Sequence, residues 1–441
     1  MRPKTRLALL LSAVLLATGC GAGSGAAEPR GAVQLLVFGA PEELAAYRTL
    51  TEAYEKARPG TEVQLIEASD RKDLLARLAT SVAGGAPPDL FLMNYRFYGQ
   101  FAAKNVVEPL DERIARSDAI NPADYYPVAM DAFTWGGRQL CLPQNVSSLA
   151  VYYNRTLFQK YGVPEPRAGW TWNDMVGAAI AMTRDSRGVV VRGTESEGAA
   201  ARPVVHGVAV EPSIIRLAPL VWSNDGEIVD DPDRPTRLNL DTPAGREALK
   251  NLVDLRQAYG VVPTDEEVEA EDDESRFANG RLAMLFSSRR STTTFRSITD
   301  FEWDVAPLPV YRKQVGVLHS DAYCMTRGAE RKDAAWRFLE FAISEQGQRI
   351  VAATGRTVPS HIGVSRSPAF LGPSQPPRSA RVFLDAIPTV RALPTVSTWP
   401  EIEDVTHGIL ENAVHRGDRL DEVIRDLDRQ TRPLFARGEH G

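Results

Sequence analysis

The chain has 441 residues, 43% hydrophobic and 24% charged, with a formal net charge of −6. These are ordinary globular values, and the acidic balance argues against a nucleic-acid binder, which carries a basic face. About 410 residues beyond an N-terminal leader exceed one ordinary core, so two lobes are expected.

The leader begins with Arg2, Lys4 and Arg6 and continues as an apolar run over residues 7–17. A helix needs about 20 apolar residues to cross a bilayer, so the run is a secretion signal and not a span. Ala17, Thr18 and Gly19 precede Cys20, and small residues follow it to Ala27. The segment resembles a bacterial lipoprotein signal, in which the cysteine becomes the acylated first residue. The usual leucine three places earlier is Ala17 here, with Leu16 one further back. An ordinary secreted protein with an incidental cysteine is the alternative. Residues 1–19 read as signal peptide and 20–31 as a lipid-anchored flexible linker. The expected location is the cell membrane, on its extracytoplasmic face.

Residues 33–38 read as a buried strand. Leu44, Tyr47, Leu50 and Tyr54 then recur at helical spacing until Arg58-Pro59-Gly60 ends the helix. A strand at 62–66, a helix at 70–82 and a strand at 89–93 follow. Such alternation implies a largely parallel sheet covered by helices. Short strands are expected at 139–142 and 149–153. Helices are expected at 172–183, 243–259 and 272–279, with strands at 282–286 and 302–306. The last third reads as helical at 336–343, 346–353, 381–391, 399–415 and 420–435, and the Pro- and Ser-rich stretch 366–378 as a connector. The acidic run 264–275 lacks glycine and calcium-loop spacing, so it reads as a solvated surface. Cys141 and Cys324 are too few for a disulfide scaffold, and they either pair or sit buried.

Several motifs occur in order: Gly84-Gly85-Ala86-Pro87-Pro88-Asp89-Leu90-Phe91, Gly137-Arg138-Gln139-Leu140-Cys141-Leu142-Pro143, Leu149-Ala150-Val151-Tyr152-Tyr153-Asn154-Arg155-Thr156-Leu157-Phe158, Gly169-Trp170-Thr171-Trp172 and Phe277-Ala278-Asn279-Gly280-Arg281-Leu282-Ala283-Met284. Together they resemble the extracellular solute-binding proteins of ABC importers, the family-1 group typified by maltose-binding proteins. The resemblance implies an α/β, two-lobed periplasmic-binding-protein type II fold, with an interlobe ligand cleft and hinge crossings. Lobe 1 would hold residues 32–144 plus 319–369, and lobe 2 residues 145–318 plus 370–441. Cys141 and Cys324 would then be neighbours near the crossings, with the bridge itself left open.

A sugar presents hydroxyls at its rim and C–H faces above and below, so its pocket needs planar hydrogen-bonding side chains and aromatic platforms. Positions matching the family's ligand loops are Glu42, Asp70 and Arg71, then Asn94, Tyr95 and Arg96, all in lobe 1. Asn145 and Ser147 lie at the first crossing. Glu211, Arg216, Trp222 and Asp225 flank a lobe-2 helix, and Ser287, Arg289 and Arg290 follow a lobe-2 strand. His319, Asp321 and Tyr323 lie at the second crossing. Trp399 falls where the family often carries a stacking tryptophan. Arginines paired with carboxylates would favour a neutral sugar, and unpaired ones an anionic derivative or a sugar or polyol phosphate.

The sequence has no nucleophile elbow, no metal-ligand spacing and no motif that fixes two carboxyls as an acid–base pair. The expected function is that of a non-enzymatic, monomeric substrate-binding lipoprotein. It would capture a carbohydrate and deliver it to the permease subunits of an ABC importer, with no cofactor and no metal. A ligand-sensing lipoprotein without transport is one alternative, and a glycoside-acting enzyme a remoter one.

Overall fold

A computed structural model describes residues 31–193 and 202–441. The signal segment and Cys20 lie outside the described residues. Two sheets organise the chain. The first contains β1 (Val33–Phe38), β2 (Val63–Ala68), β3 (Leu90–Asn94), β4 (Cys141–Pro143) and β8 (Asp321–Met325), in the order β2-β1-β3-β8-β4. The second places β5 (Leu149–Asn154) between β6 (Met284–Ser288) and β7 (Trp303–Ala306).

The first sheet is parallel only across β2, β1 and β3. β8 runs antiparallel to β3, and β4 antiparallel to β8. β5 is antiparallel to both its neighbours. The expected largely parallel sheet is therefore corrected to a mixed one. Strand–helix alternation specifies direction only within its own βαβ units. β8 arrives from the other sheet, and a sequence pattern does not record that direction.

The helices form where the apolar spacing places them. The helix Pro41–Ala57 opens on proline, carries Glu42 and Glu43 in its first turn, and buries Tyr47, Leu50 and Tyr54. Thr171 and Asp174 close a capping box on the helix Trp172–Met182. The expected connector at 366–378 contains a short helix, Pro368–Leu371, which buries Phe370. The expected helix at 381–391 is shortened to Val382–Ala386, followed by a 3-10 turn and a two-residue strand.

Gly207 packs directly on the end of the helix Trp172–Met182, and a Cβ there would collide with the Ala179 carbonyl. Gly207→Ala should cost about 1–3 kcal/mol, since backbone cannot yield as a side chain does. Urea denaturation of the purified variant checks this.

The chain passes between the sheets just after Pro143 and just before Asp321. The two passages form a ribbon: Ser147 and His319 exchange both backbone hydrogen bonds, each 2.9 Å. Cys141 and Cys324 are cross-strand partners beside it, joined by a disulfide with the Cα atoms 4.4 Å apart.

Candidate functional site

The loop ends of both sheets converge on the crossing ribbon. Asp321, the first residue of β8, accepts from Asn94 Nδ2 at 3.0 Å and from Asn145 Nδ2 at 3.5 Å. Its own backbone N–H donates to Asn145 Oδ1 at 2.6 Å. Asn94 also caps the helix Tyr95–Ala102 by accepting from the Arg96 N–H. The three side chains fix the floor of the cleft.

His319 lies on that floor, ringed by Arg216, Arg96, Arg290 and Arg71. Burial and then these four cations hold its imidazole well below the usual range. It is thus a neutral ring, and its Nδ1 is buried with no hydrogen-bond partner.

Each wall carries arginines and carboxylates together. Arg96 Nη1 donates to both oxygens of Glu403, at 2.6 and 2.5 Å, and both side chains are nearly buried. Arg216 Nη2 lies 3.1 Å from Glu211, and Arg290 lies 3.8 Å from Glu274. Arg356 Nε donates to Glu43 at 2.5 Å, and its Nη1 reaches the Arg290 carbonyl at 3.5 Å. Arg71 lies over the Phe97 ring at 4.5 Å. Five guanidinium groups (Arg71, Arg96, Arg216, Arg290, Arg356) thus stand among six carboxyls (Glu43, Glu211, Asp273, Glu274, Asp321, Glu403).

The local environments tune these groups differently. Arg216 draws the half-exposed Glu211 carboxyl below its usual range, outweighing the partial loss of solvent around it. Burial pushes Glu43 upward, Arg356 opposes that, and Asp321 adds to it. Asp273, beside Glu211, is raised to about 6 by burial, and its Oδ1 has no partner. A carboxyl raised in the fold adds stability below its unfolded pKa and loses it as pH rises through the folded value. Asp273→Asn should therefore stabilise the protein by about 1–3 kcal/mol at pH 7.5 and by nothing at pH 3.5. Thermal denaturation at the two pH values checks this.

Several expected site residues are placed elsewhere. Trp399 is fully buried, packs edge-on to Phe435, and donates from Nε1 to Glu403 at 2.7 Å, so no ring face is left for a ligand. Trp222 lies beneath Arg391, 4.7 Å from its guanidinium, in a groove of about 410 Å³ lined also by Val128, Thr134, Glu227 and Leu393. Asp225 pairs with Lys313 at 2.8 Å on an exposed turn. Arg289, in the turn that follows β6, is buried between Phe370 and Phe383 and donates to the Gly355 carbonyl at 2.7 Å, whereas Arg290 beside it is exposed. Tyr95 is buried, and its hydroxyl accepts from the Leu393 N–H. Tyr323 points into the core under the helix Pro41–Ala57, and its hydroxyl has no partner. Asp70 caps the helix Arg71–Ala83 from an exposed position. Glu42 is exposed, and Glu43 is the carboxyl turned inward. Ser287 is bonded to Ser291 at 2.6 Å, and Ser147 serves the ribbon through its backbone.

Sequence reasoning missed Glu43, Asp273, Glu274, Arg356 and Glu403. Glu43 had a signal: it precedes Tyr47 by four residues and Leu50 by seven, on the buried stripe of its helix. The acidic run 264–275 is only partly a solvated face. Glu267 lies 3.3 Å from His206, Glu271 lies 3.6 Å from Arg276, and Asp273 and Glu274 turn toward the cleft. Among the described residues, no group of three His, Cys, Asp or Glu side chains is placed to hold a metal ion.

The sequence profile of the bacterial extracellular solute-binding proteins matches residues 40–349. A binding protein of Brucella abortus (strain 2308) is 22% identical over 387 residues, covering 86% of this chain and 87% of that protein. The maltotriose-binding protein of Pyrococcus abyssi is 23% identical over 307 residues, 68% of this chain and 60% of that protein. Two solved structures share the fold. An ABC substrate-binding protein of Listeria monocytogenes in complex with cycloalternan superposes with a TM-score of 0.80 at 24% identity, covering 91% of this chain and 98% of that one. UgpB of Mycobacterium tuberculosis in complex with glycerophosphocholine gives 0.77 at 19%, covering 93% and 99%. The two-sheet architecture with its crossing ribbon is thus that of the periplasmic binding proteins, and the chain belongs to the bacterial extracellular solute-binding proteins, a family of carriers and not of catalysts.

Proposed function

We propose that this protein captures a carbohydrate in the cleft between its lobes and hands it to the permease of an ABC importer. The observation that carries the reading is the near-complete pairing of cleft arginines with carboxylates. Such a lining has no large net charge to be neutralised by an ion. It offers forked donors and bidentate acceptors side by side, which suit adjacent hydroxyls. The carbohydrate ligands of several relatives, cycloalternan, maltose and maltotriose among them, support it.

Lobe 1 is proposed as 32–144 plus 319–369 and lobe 2 as 145–318 plus 370–441. Every strand of the first sheet falls in the first set, and every strand of the second in the other. The ligand contacts are assigned to Arg71, Asn94, Arg96, Asn145, Glu211, Arg216, Arg290, His319 and Asp321, joined by Glu43, Asp273 and Arg356. Ligand that touches both walls stabilises the closed arrangement and shifts the population toward it. Acylation at Cys20 would tether a monomer to the outer face of the membrane, within reach of the permease.

An anionic or phosphorylated sugar is the second reading. It is favoured by Arg71, which forms no ion pair among the described residues.

The test is to recover the guest from protein produced in its own organism, identify it by mass, and record solution scattering with and without it. A carbohydrate that contracts the scattering envelope and is released unaltered is the expected result. A non-carbohydrate guest, or an unchanged envelope, would end the proposal. Uptake in permease-containing vesicles separates transport from sensing.

A further inference from the structure

Arg289 is among the largest fully buried side chains of the protein. Its guanidinium lies 4.8 Å from the centre of the Phe370 ring and 5.1 Å from that of Phe383. Among the described residues its electrostatic neighbours are the Tyr152 hydroxyl and Arg296, neither of them a carboxylate, and its Nη1 and Nη2 have no hydrogen-bond partner. Burial draws the group down to about 10, Tyr152 opposes that, and Arg296 adds to it. A buried cation without a counter-charge is costly, and an apolar side chain of similar volume would fill the place without that cost. A residue that breaks the packing rule in this way points to a role.

The hydrogen bond that Arg289 makes runs between the proposed lobes. Its Nε donates to the Gly355 carbonyl at 2.7 Å. Two neighbours on the lobe-2 side hold the same loop. Arg296 Nη1 donates to the Thr354 carbonyl at 3.1 Å, and the Arg290 carbonyl accepts from Arg356 Nη1 at 3.5 Å. Gly355 has a φ of +76°, and a Cβ there would run into the Arg296 guanidinium, so the grip requires glycine. The gripped carbonyl belongs to the peptide bond that leads directly into Arg356. Arg356 Nε in turn donates to Glu43 at 2.5 Å, where the Tyr47 hydroxyl and Asp321 also act.

We infer that Arg289 is a positioning residue for the ligand site: from lobe 2 it sets the Arg356–Glu43 pair of lobe 1 through the Gly355 carbonyl. The inference rests on the lobes proposed above and on the assignment of Arg356 and Glu43 to the ligand contacts. Arg289 itself lies behind the cleft and acts one peptide bond away from it. A charged pair on one wall thereby takes its alignment from the opposite lobe.

Carbon-13 labelling of the glutamate carboxyls in the mature protein tests this by NMR, with Glu43→Gln assigning the Glu43 signal. Methionine is close to Arg289 in reach but has no donor. Glutamine carries its amide nitrogen as many bonds from the backbone as arginine carries Nε, and it has no charge. In Arg289→Met the loop is released, Arg356 leaves Glu43, and burial acts on the carboxyl with its chief opponent gone. The Glu43 titration should rise by about one pH unit or more. Arg289→Gln should leave it at the wild-type value. An unchanged titration in Arg289→Met would overturn the inference. An equal rise in both variants would also overturn it, since the charge and not the donor would then be at work. Thermal scans confirm folding. If Arg289→Met does not fold, Gly355→Ala takes its place, because the added Cβ displaces the same loop; the same rise is expected, and its absence would overturn the inference. A non-carbohydrate guest would end the proposed function and leave this positioning role standing.

Discussion

Replacing Cys141 and Cys324 together by alanine will lower the melting temperature by about 6–12 °C. The bridge joins residues 183 apart in sequence. In the chain-entropy description, closing a loop of that length restricts the unfolded chain by about 5 kcal/mol. Residual order in real unfolded chains reduces this, so about 3 kcal/mol is the working figure. At about 2–4 °C per kcal/mol for lobes of this size, the stated shift follows. Both sulfurs are fully buried, so two alanines leave only a small void. Calorimetric scans of the wild type, with and without reductant, and of the double variant check the result. Coincident transitions in all three would mean that the bridge does not restrain the unfolded chain.

Arg96→Ala should cost about 3–5 kcal/mol, because it strands a buried carboxylate. Burial works against the Arg96 charge, and Glu403 outweighs that, holding the guanidinium in its charged form. Without Arg96, Glu403 keeps the Trp399 N–H as a donor but loses its directly bonded counter-charge, and Arg71 acts on it only from farther off. The double variant Arg96→Met/Glu403→Leu removes both charges and should recover most of the loss. Urea denaturation of the two single variants and the double one measures the coupling. Additive losses would refute it.

Much of this was legible in the sequence, and the remainder fails for identifiable reasons. The stripe Leu44, Tyr47, Leu50, Tyr54 located the first helix, and the alternation to Asn94 located the first three strands. The same logic would have turned Glu43 inward and would have buried Trp399, which shares a stripe with Ile402, Thr406 and Leu410. Family position argued for a stacking tryptophan, and helix geometry argued against it; geometry prevailed. Arg289 and Arg290 look alike as letters, but the turn after β6 buries the first and exposes the second. Partners such as Arg96 with Glu403, 307 residues apart, and Glu43 with Arg356, 313 apart, leave no local trace. The same holds for the antiparallel entry of β8.

The paired backbones of Ser147 and His319 carry a kinetic implication. In the proposed closure, Asn145, His319 and Asp321 would sit on or beside the axis of the swing and would travel least. An arriving molecule would then meet a landing spot that is the same in the proposed open and shut forms. The outlying arginines would sweep in afterward. Variants at the axis should slow capture, whereas variants on the walls should hasten escape.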